Sequence, residues 1–323
     1  VRKKILFFGT PTFAIPSLAT LISDPELEVT GVVTQPDRVA GRGRNVQSSP
    51  VKLLAEAHNI PVFQPESVKK SRVLLEGRCK DCAAAVVVAF GQLLPLWLLE
   101  AFDHMLVNVH SSLLPRWRGA APMQRALIAG DLVTGVSLMK VVLEMDAGPV
   151  FVRASIPISE SHTFSSLHDD LSELGASLLK THLGAILKGE LVPVPQAGEG
   201  VSHAKKIEKS EGRIDWSQSA MTLKGLMHGL SPSPGAFCLL GAKRLKVLRA
   251  RVWADSCSLP ADLRQPGAVT TVVVEGEPKY VVKCGEGALQ LLEVQLEGKS
   301  PCSAVEFGRG HKDFGQTVLS TPT

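Results

Sequence analysis

A chain of 323 residues, 45% hydrophobic and 20% charged, is long enough for two domains with cores of their own, which excludes a disulfide-stapled mini-protein and a disordered or linker-dominated chain. Its 35 Lys and Arg exceed its 31 Asp and Glu to give +4, too little to demand a polyanionic partner, so the placement of the charge carries the information. Divided near residue 204, where QAGEGVSHAKK reads as a polar connector, residues 1–204 hold 19 basic and 19 acidic side chains and residues 205–323 hold 16 and 12.

Lys4-Ile5-Leu6-Phe7-Phe8 is an apolar run ending in Gly9, followed by a helical pattern through Phe13, Leu18 and Leu21 and a second apolar run at 29–34. A strand, a tight turn, a helix and another strand buried on both faces make a βαβ unit. Residues 83–90 are again uniformly apolar, and 106–110 and 136–142 predict two more strands. A long helical pattern opens at Ser159, with Leu167, Leu171, Leu174 and Leu178 on one face. Residues 1–204 are therefore expected to form a Rossmann-like α/β domain, a mostly parallel sheet with flanking helices. Past the connector, short β-rich runs at 270–274, 280–283 and 289–294 alternate with Gly/Pro turns, predicting a small OB-like β-barrel over 205–323.

The first turn, Gly9-Thr10-Pro11-Thr12, lacks the glycine spacing of a dinucleotide or P-loop site, so neither is expected. Only four apolar residues, ILFF, follow the basic N-terminus before Gly9, too few for a signal-peptide core, and no apolar run approaches the roughly 20 residues of a membrane span. The chain reads as cytoplasmic, with its six scattered cysteines reduced. Cys79-Lys-Asp-Cys82 has no second pair at zinc-ligand spacing and is read as incidental. Val1 fits an alternative start codon or a processed end, and both stand.

The chemistry gathers between 108 and 148. Asn108 and His110 alternate out of one face at the carboxyl end of a buried strand, where ligands of such sheets sit. An amide donor beside an imidazole suits polarising a carbonyl and handling a proton. A polar turn with Arg116, Trp117 and Arg118 follows, and Asp146 sits in a glycine-terminated loop ending at Gly148. Singly these are ordinary residues; together they supply a polarising amide, an imidazole and an orienting carboxylate. The connection 36–50 is long for its job and basic, with Arg38, Arg42 and Arg44 beside Lys52 against one acid, Asp37, which suits a phosphate backbone. In the second part, Lys206 and Lys209 lie in the connector. Arg244 and Lys246 have opposite parity to Arg249 and Arg251, so one face shows all four only if a bulge intervenes. With 5% aromatics and one Tyr, backbone tracking is favoured over base stacking.

The run Asn108-Val109-His110-Ser111-Ser112-Leu113-Leu114-Pro115-Arg116-Trp117-Arg118-Gly119-Ala120-Ala121-Pro122, with Asp146-x-Gly148 downstream, resembles the folate-dependent formyltransferases, and among them those acting on a charged initiator tRNA. Phe8-Gly9-Thr10-Pro11, Thr34-Gln35-Pro36-Asp37-Arg38, Val88-Ala89-Phe90-Gly91-Gln92 and Gly212-Arg213-Ile214-Asp215-Trp216 extend the likeness in order along the chain. The resemblance implies transfer of a formyl group from 10-formyltetrahydrofolate to the α-amine of methionine on initiator methionyl-tRNA. It makes Asn108, His110 and Asp146 the catalytic set, with His110 open as base, acid or oxyanion donor. It lines the folate site with Ser112, Leu113, Leu114 and Pro115, faced by Phe90, Gln92 and Leu94. It sends the 36–50 loop into the acceptor stem, with Arg42 as its principal contact between Arg38 and Arg44, and leaves Lys206, Lys209, Arg244 and Lys246 to hold RNA from the second domain. No metal and no membrane are expected, and no heptad or apolar stripe compels association, so a monomer is expected. Ser111 and Ser233 depart from the family pattern, the latter where Trp is usual. Two other readings remain: a transformylase or formyl-folate hydrolase acting on a small molecule, and a non-catalytic RNA-binding module.

Overall fold

The computed structural model describes residues 2–40, 45–103, 105–254, 259–260 and 264–322. In chain order the first part contains β1 (Lys3–Gly9), α1 (Ile15–Ser23), β2 (Leu27–Val33), β3 (Arg38–Ala40), β4 (Asn45–Gln47), α2 (Pro50–Ala57), β5 (Val62–Phe63), α3 (Arg72–Cys79) and β6 (Ala84–Val88). There follow α4 (Leu96–Ala101), β7 (Leu106–His110), β8 (Arg118–Gly119), α5 (Pro122–Ala129), β9 (Val133–Lys140), β10 (Val150–Pro157), α6 (Phe164–Lys188) and β11 (His203–Ala204). The second part contains α7 (Ala220–Leu230), β12 (Ala236–Leu240), β13 (Lys243–Val252), β14 (Val269–Val274), β15 (Glu277–Lys283), β16 (Ala288–Leu296), β17 (Cys302–Ser303) and α8 (Ala304–Gly310). Two compact units result: Val1–Pro122, Thr134–Ile156 and His168–Ala204 form one, and Met123–Val133, Pro157–Leu167 and Lys205–Thr323 form the other.

The first unit is built on a seven-stranded sheet of order β10-β9-β7-β6-β1-β2-β5. The pairs among β7, β6, β1, β2 and β5 are parallel, and β9 joins β7 antiparallel. Ile5 through Phe8 and all of β6 are buried, which is why these strands read as unbroken apolar runs. Gly175 lets α6 approach β7, because a Cβ there would come within 2.7 Å of Val109.

Beyond shifts of one to three residues at strand ends, as where the strands expected at 29–34 and 136–142 run over 27–33 and 133–140, two elements differ from the sequence expectation. The helix begins at Phe164 instead of Ser159, because Ser159 donates its N–H to His162 Nδ1 at 2.8 Å and Thr163 donates its N–H to Ser166 Oγ at 3.0 Å, spending 159–163 on a capped turn. The connection 36–50, expected as a loop, carries the antiparallel pair β3–β4.

The second unit holds a six-stranded antiparallel sheet of order β12-β13-β16-β15-β14, with β17 on β16. Residues 317–320 close it. Leu239 of β12 exchanges both backbone hydrogen bonds with Ser320, and Val269 of β14 donates to Thr317 at 2.8 Å, so the sheet's two edge strands are joined through one segment. Trp216, Met227, Val247, Leu289, Phe307 and Phe314 are among the side chains filling its core. Along β13 the pairing with β16 shifts between Val247 and Ala250, and Val247 and Leu248 are both buried. This bulge returns Arg249 and Arg251 to the outward side already occupied by Arg244 and Lys246.

Candidate active site

β7 carries Asn108 and His110 to the carboxyl end of the parallel strands, half-buried and buried respectively, with β9 alongside pairing Ser137 opposite His110. Asp146 lies beyond the end of β9 with φ of 51°, a left-handed conformation that Asp tolerates better than most residues. Its Oδ2 accepts the Gly119 N–H at 2.8 Å. Its Oδ1 faces Asn108 Nδ2 at 3.5 Å and His110 Nδ1 at 3.6 Å. The expected trio is therefore brought together on one carboxylate oxygen. The His110 Nε2 lies 3.0 Å from the Trp117 carbonyl, which only accepts, so the proton is fixed on Nε2 and Nδ1 is left toward Asp146. Such a pair takes a proton at Nδ1 and shares the resulting charge between a carboxylate and a carbonyl.

The turn after β7 is tied from inside. Ser112 Oγ donates to the Arg116 carbonyl at 2.6 Å, Ser137 Oγ donates to the Ser112 carbonyl at 2.7 Å and accepts the Leu114 N–H at 3.1 Å, and Arg153 Nε donates to the Leu114 carbonyl at 2.7 Å. Ser112 and Leu114 are buried, Leu114 against Met139 and Val150, while Leu113 and Pro115 are partly exposed. The turn after β6 places Phe90 edge-on to Phe8 in the core and leaves Gln92 and Leu94 half-buried and Leu93 69% exposed. Gln92 Oε1 accepts the Val68 N–H at 2.9 Å. Because β6 and β7 are neighbouring parallel strands, both turns lie side by side at the sheet's carboxyl end. Among the described residues no three His, Cys, Asp or Glu side chains are placed to hold a metal ion.

Residues of the connector, which the sequence reading left without a role at this site, form part of it. Gln196 Nε2 donates to the carbonyls of Asp146 and Gly148, both at 2.8 Å, and its Oε1 accepts from Arg118 Nε at 3.0 Å. Ser202 accepts the Trp117 N–H on its Oγ at 2.9 Å and the Arg118 N–H on its carbonyl at 2.9 Å, which orients the peptide whose oxygen meets His110. The Ala204 carbonyl accepts the Ala120 N–H at 2.9 Å and would be met at 2.8 Å by a Cβ on Gly119, whose φ is 118°. No periodicity announces these contacts; the lone amide in V-P-V-P-Q-A-G, half-buried in the structure, is the sole trace.

The residues expected to meet RNA are mostly exposed. Arg38 donates to Gln35 Oε1 at 2.9 Å; Arg42 and Arg44 lie outside the described residues. Lys52 is committed to Asp37 at 2.5 Å, and this hydrogen bond holds the Asp37 carboxyl below its ordinary range and lifts the Lys52 ammonium. Lys206 and Lys209 are exposed. Arg244 lies 4.1 Å from the Phe237 ring centre, and Lys246 is half-buried. Arg249 and Arg251 are exposed and, with His228, Ser159 and Ser161, line a cavity of about 270 Å³.

Residues 3–183 match the family model described as formyl transferase, and residues 206–312 match that of the formyl transferase C-terminal domain. The chain is 45% identical over 311 residues to the methionyl-tRNA formyltransferase of Bdellovibrio bacteriovorus, covering 96% of each. It is 44% identical over 312 residues to the methionyl-tRNA formyltransferase of Myxococcus xanthus, again with 96% of each covered. Among solved structures it is similar to WlaRD, a sugar 3N-formyl transferase crystallised in the presence of dTDP and 5-N-formyl-THF, with TM-score 0.67 at 16% identity, 93% of this chain and all of that one covered. That likeness carries the fold alone.

Proposed function

This chain belongs to the formyl transferase family, in its methionyl-tRNA formyltransferase branch, and from that membership we propose that it moves the formyl group of 10-formyltetrahydrofolate to the α-amine of methionine on initiator tRNA. The observation that carries this reading is a 45% identity spanning 96% of both chains, which takes in the C-terminal domain as well as the transfer site. The bound folate supplies an activated formyl carbon.

The chain's own residues do the rest. Asn108 Nδ2 donates to the formyl oxygen as charge builds on it, a contribution of about 3 kcal/mol for one such donor in related acyl transfers. His110 accepts at Nδ1 the proton released by the attacking amine, because Nε2 already holds its own against the Trp117 carbonyl, and hands that proton to the donor nitrogen as its bond to the formyl carbon breaks. Asp146 stabilises the charged imidazole, and the Gly119 N–H keeps the carboxylate aimed. Leu113 and Pro115, with Gln92 and Leu94, wall the folate, while the buried Ser112, Leu114 and Phe90 hold the two turns from the core side. We read the protein as a monomer, and its reaction as part of cytoplasmic translation initiation.

Residues 1–204 carry the transfer chemistry and residues 205–323 hold the tRNA. The bulge in β13 supports that division of labour, since it aligns Arg244, Lys246, Arg249 and Arg251 on one face at strand spacing, as a phosphate backbone requires. Arg38, Arg42 and Arg44 engage the acceptor stem, and Lys206 and Lys209 extend the basic track along the connector. Incubation with 10-formyltetrahydrofolate and methionyl-tRNA, with free methionine and a purine precursor as controls, tests the reading. Formylation of the tRNA-bound amine is expected; transfer to a free small amine alone would overturn it.

A further inference from the structure

We infer that Gln196 is a positioning residue for the transfer reaction, holding the Asp146 turn in its strained, productive shape from a stretch that neither family model covers. The inference rests on Asp146 belonging to the transfer site.

The carbonyls of Asp146 and Gly148 converge on a single amide nitrogen, each at 2.8 Å. Two carbonyl dipoles pointing at one spot repel unless a donor with two hydrogens sits between them, and a primary amide is such a donor. The orientation of the amide is settled by its third contact: Oε1 accepts from Arg118 Nε at 3.0 Å, so the nitrogen must face the turn. Arg118 in turn reaches Glu144 at 3.6 Å, and the next residue, Gly119, sends its N–H to the Asp146 carboxylate. The loop 144–148 is thus held at both ends and at its side chain by 118–119 and Gln196. Asp146, at φ of 51°, is the residue in this loop that needs holding, since an unsupported left-handed Asp relaxes to ordinary backbone and takes its carboxylate with it.

A displacement of about 1 Å in a catalytic group costs on the order of 100-fold in rate. Gln196→Ala removes all three hydrogen bonds. Gln196→Glu keeps a partner for Arg118 but sets carboxylate oxygens against the two carbonyls, which isolates the donors. Steady-state formylation of methionyl-tRNA by the full chain, thermal midpoints and a cycle with Asp146→Asn test the role. Both variants are expected to lower kcat about 10- to 100-fold, with KM for folate and for tRNA within about threefold of native, at a temperature well below both thermal midpoints. In the Asp146→Asn background, Gln196→Ala is expected to cost less than about threefold more, because the two act through one carboxylate. A kcat within threefold of native for both variants, losses that multiply with Asp146→Asn, or a loss that tracks the thermal midpoint would each overturn the inference. Absence of formylation by the native chain would instead overturn the function itself.

Discussion

Replacing Asp146 with Asn exchanges one carboxylate oxygen for an NH₂ group, removing the charge with almost no change of volume. The native carboxylate accepts from Gly119 at 2.8 Å and lies 3.6 Å from His110 Nδ1, with its side chain largely shielded from water. An asparagine has one acceptor where two are needed: whichever way it turns, its NH₂ meets either the Gly119 N–H or the donors of Asn108 and a charged His110. The charge term is larger. At 3.6 Å, with an effective dielectric between about 20 and 40, the attraction to an imidazolium is about 2 to 4.5 kcal/mol. Lost wholly in the transition state, it lowers the transfer rate roughly 30- to 2,000-fold. Single-turnover formylation of methionyl-tRNA, resolved on acid gels with folate saturating, isolates the chemical step. A rate within threefold of native would refute the placement of Asp146 against the reacting charge.

Three further outcomes follow from named contacts. Arg249→Ser with Arg251→Ser reduces the slope of log kcat/KM for tRNA against log salt by about 1.4 to 1.8, leaving the folate KM unchanged; an unaltered slope between low and moderate KCl would detach this face from the phosphates. Burial pushes His228 below its ordinary 6.5 even though the carbonyls of His162 and Ala250 pull the other way. The unfolded chain therefore binds a proton that the folded one refuses, so the thermal midpoint stays level above that value, falls as the pH drops through 6.5 and stops falling below the folded value; His228→Asn flattens this fall in a pH series by scanning fluorimetry. Gly148→Ala drives a Cβ into the Lys140 carbonyl, costing about 1–3 kcal/mol in urea unfolding and more in transfer rate, because the same shift moves Asp146.

What sequence reveals here depends on how far apart the cooperating residues lie. The strand at 106–110 was legible to the residue because its neighbours are apolar on both faces, and Asn108 and His110 followed from alternation. The bulge in β13 was legible as a condition: opposite parity in Arg244/Lys246 and Arg249/Arg251 has one physical remedy, and Val247-Leu248 supplies it by burying two successive side chains. The start of α6 was misplaced because a polar turn before a helix looks like its first turn until the hydrogen bonds of His162 and Ser166 are seen. Gln196 and Ser202 stayed hidden for a different reason. The groups they hold at the Asp146 and Trp117 turns lie 50 and 85 residues away and are backbone groups, which leave no mark on the side-chain pattern.

The seam made by residues 317–320 also dictates the order in which the second unit can assemble. Leu239 meets Ser320 across 81 positions of chain, whereas β14 meets β15 through a tight turn at Glu275 and Gly276. Closing so long a loop carries an entropic cost that the local hairpins do not share. Hairpins therefore form early and the seam last, so its hydrogen bonds contribute to how slowly the barrel opens and little to how fast it forms. Removing residues 317–320 would leave the folding rate nearly unchanged, raise the unfolding rate, and uncover the Leu239 stretch of β12 and the Val269 end of β14 as edges on which a second molecule can nucleate aggregation.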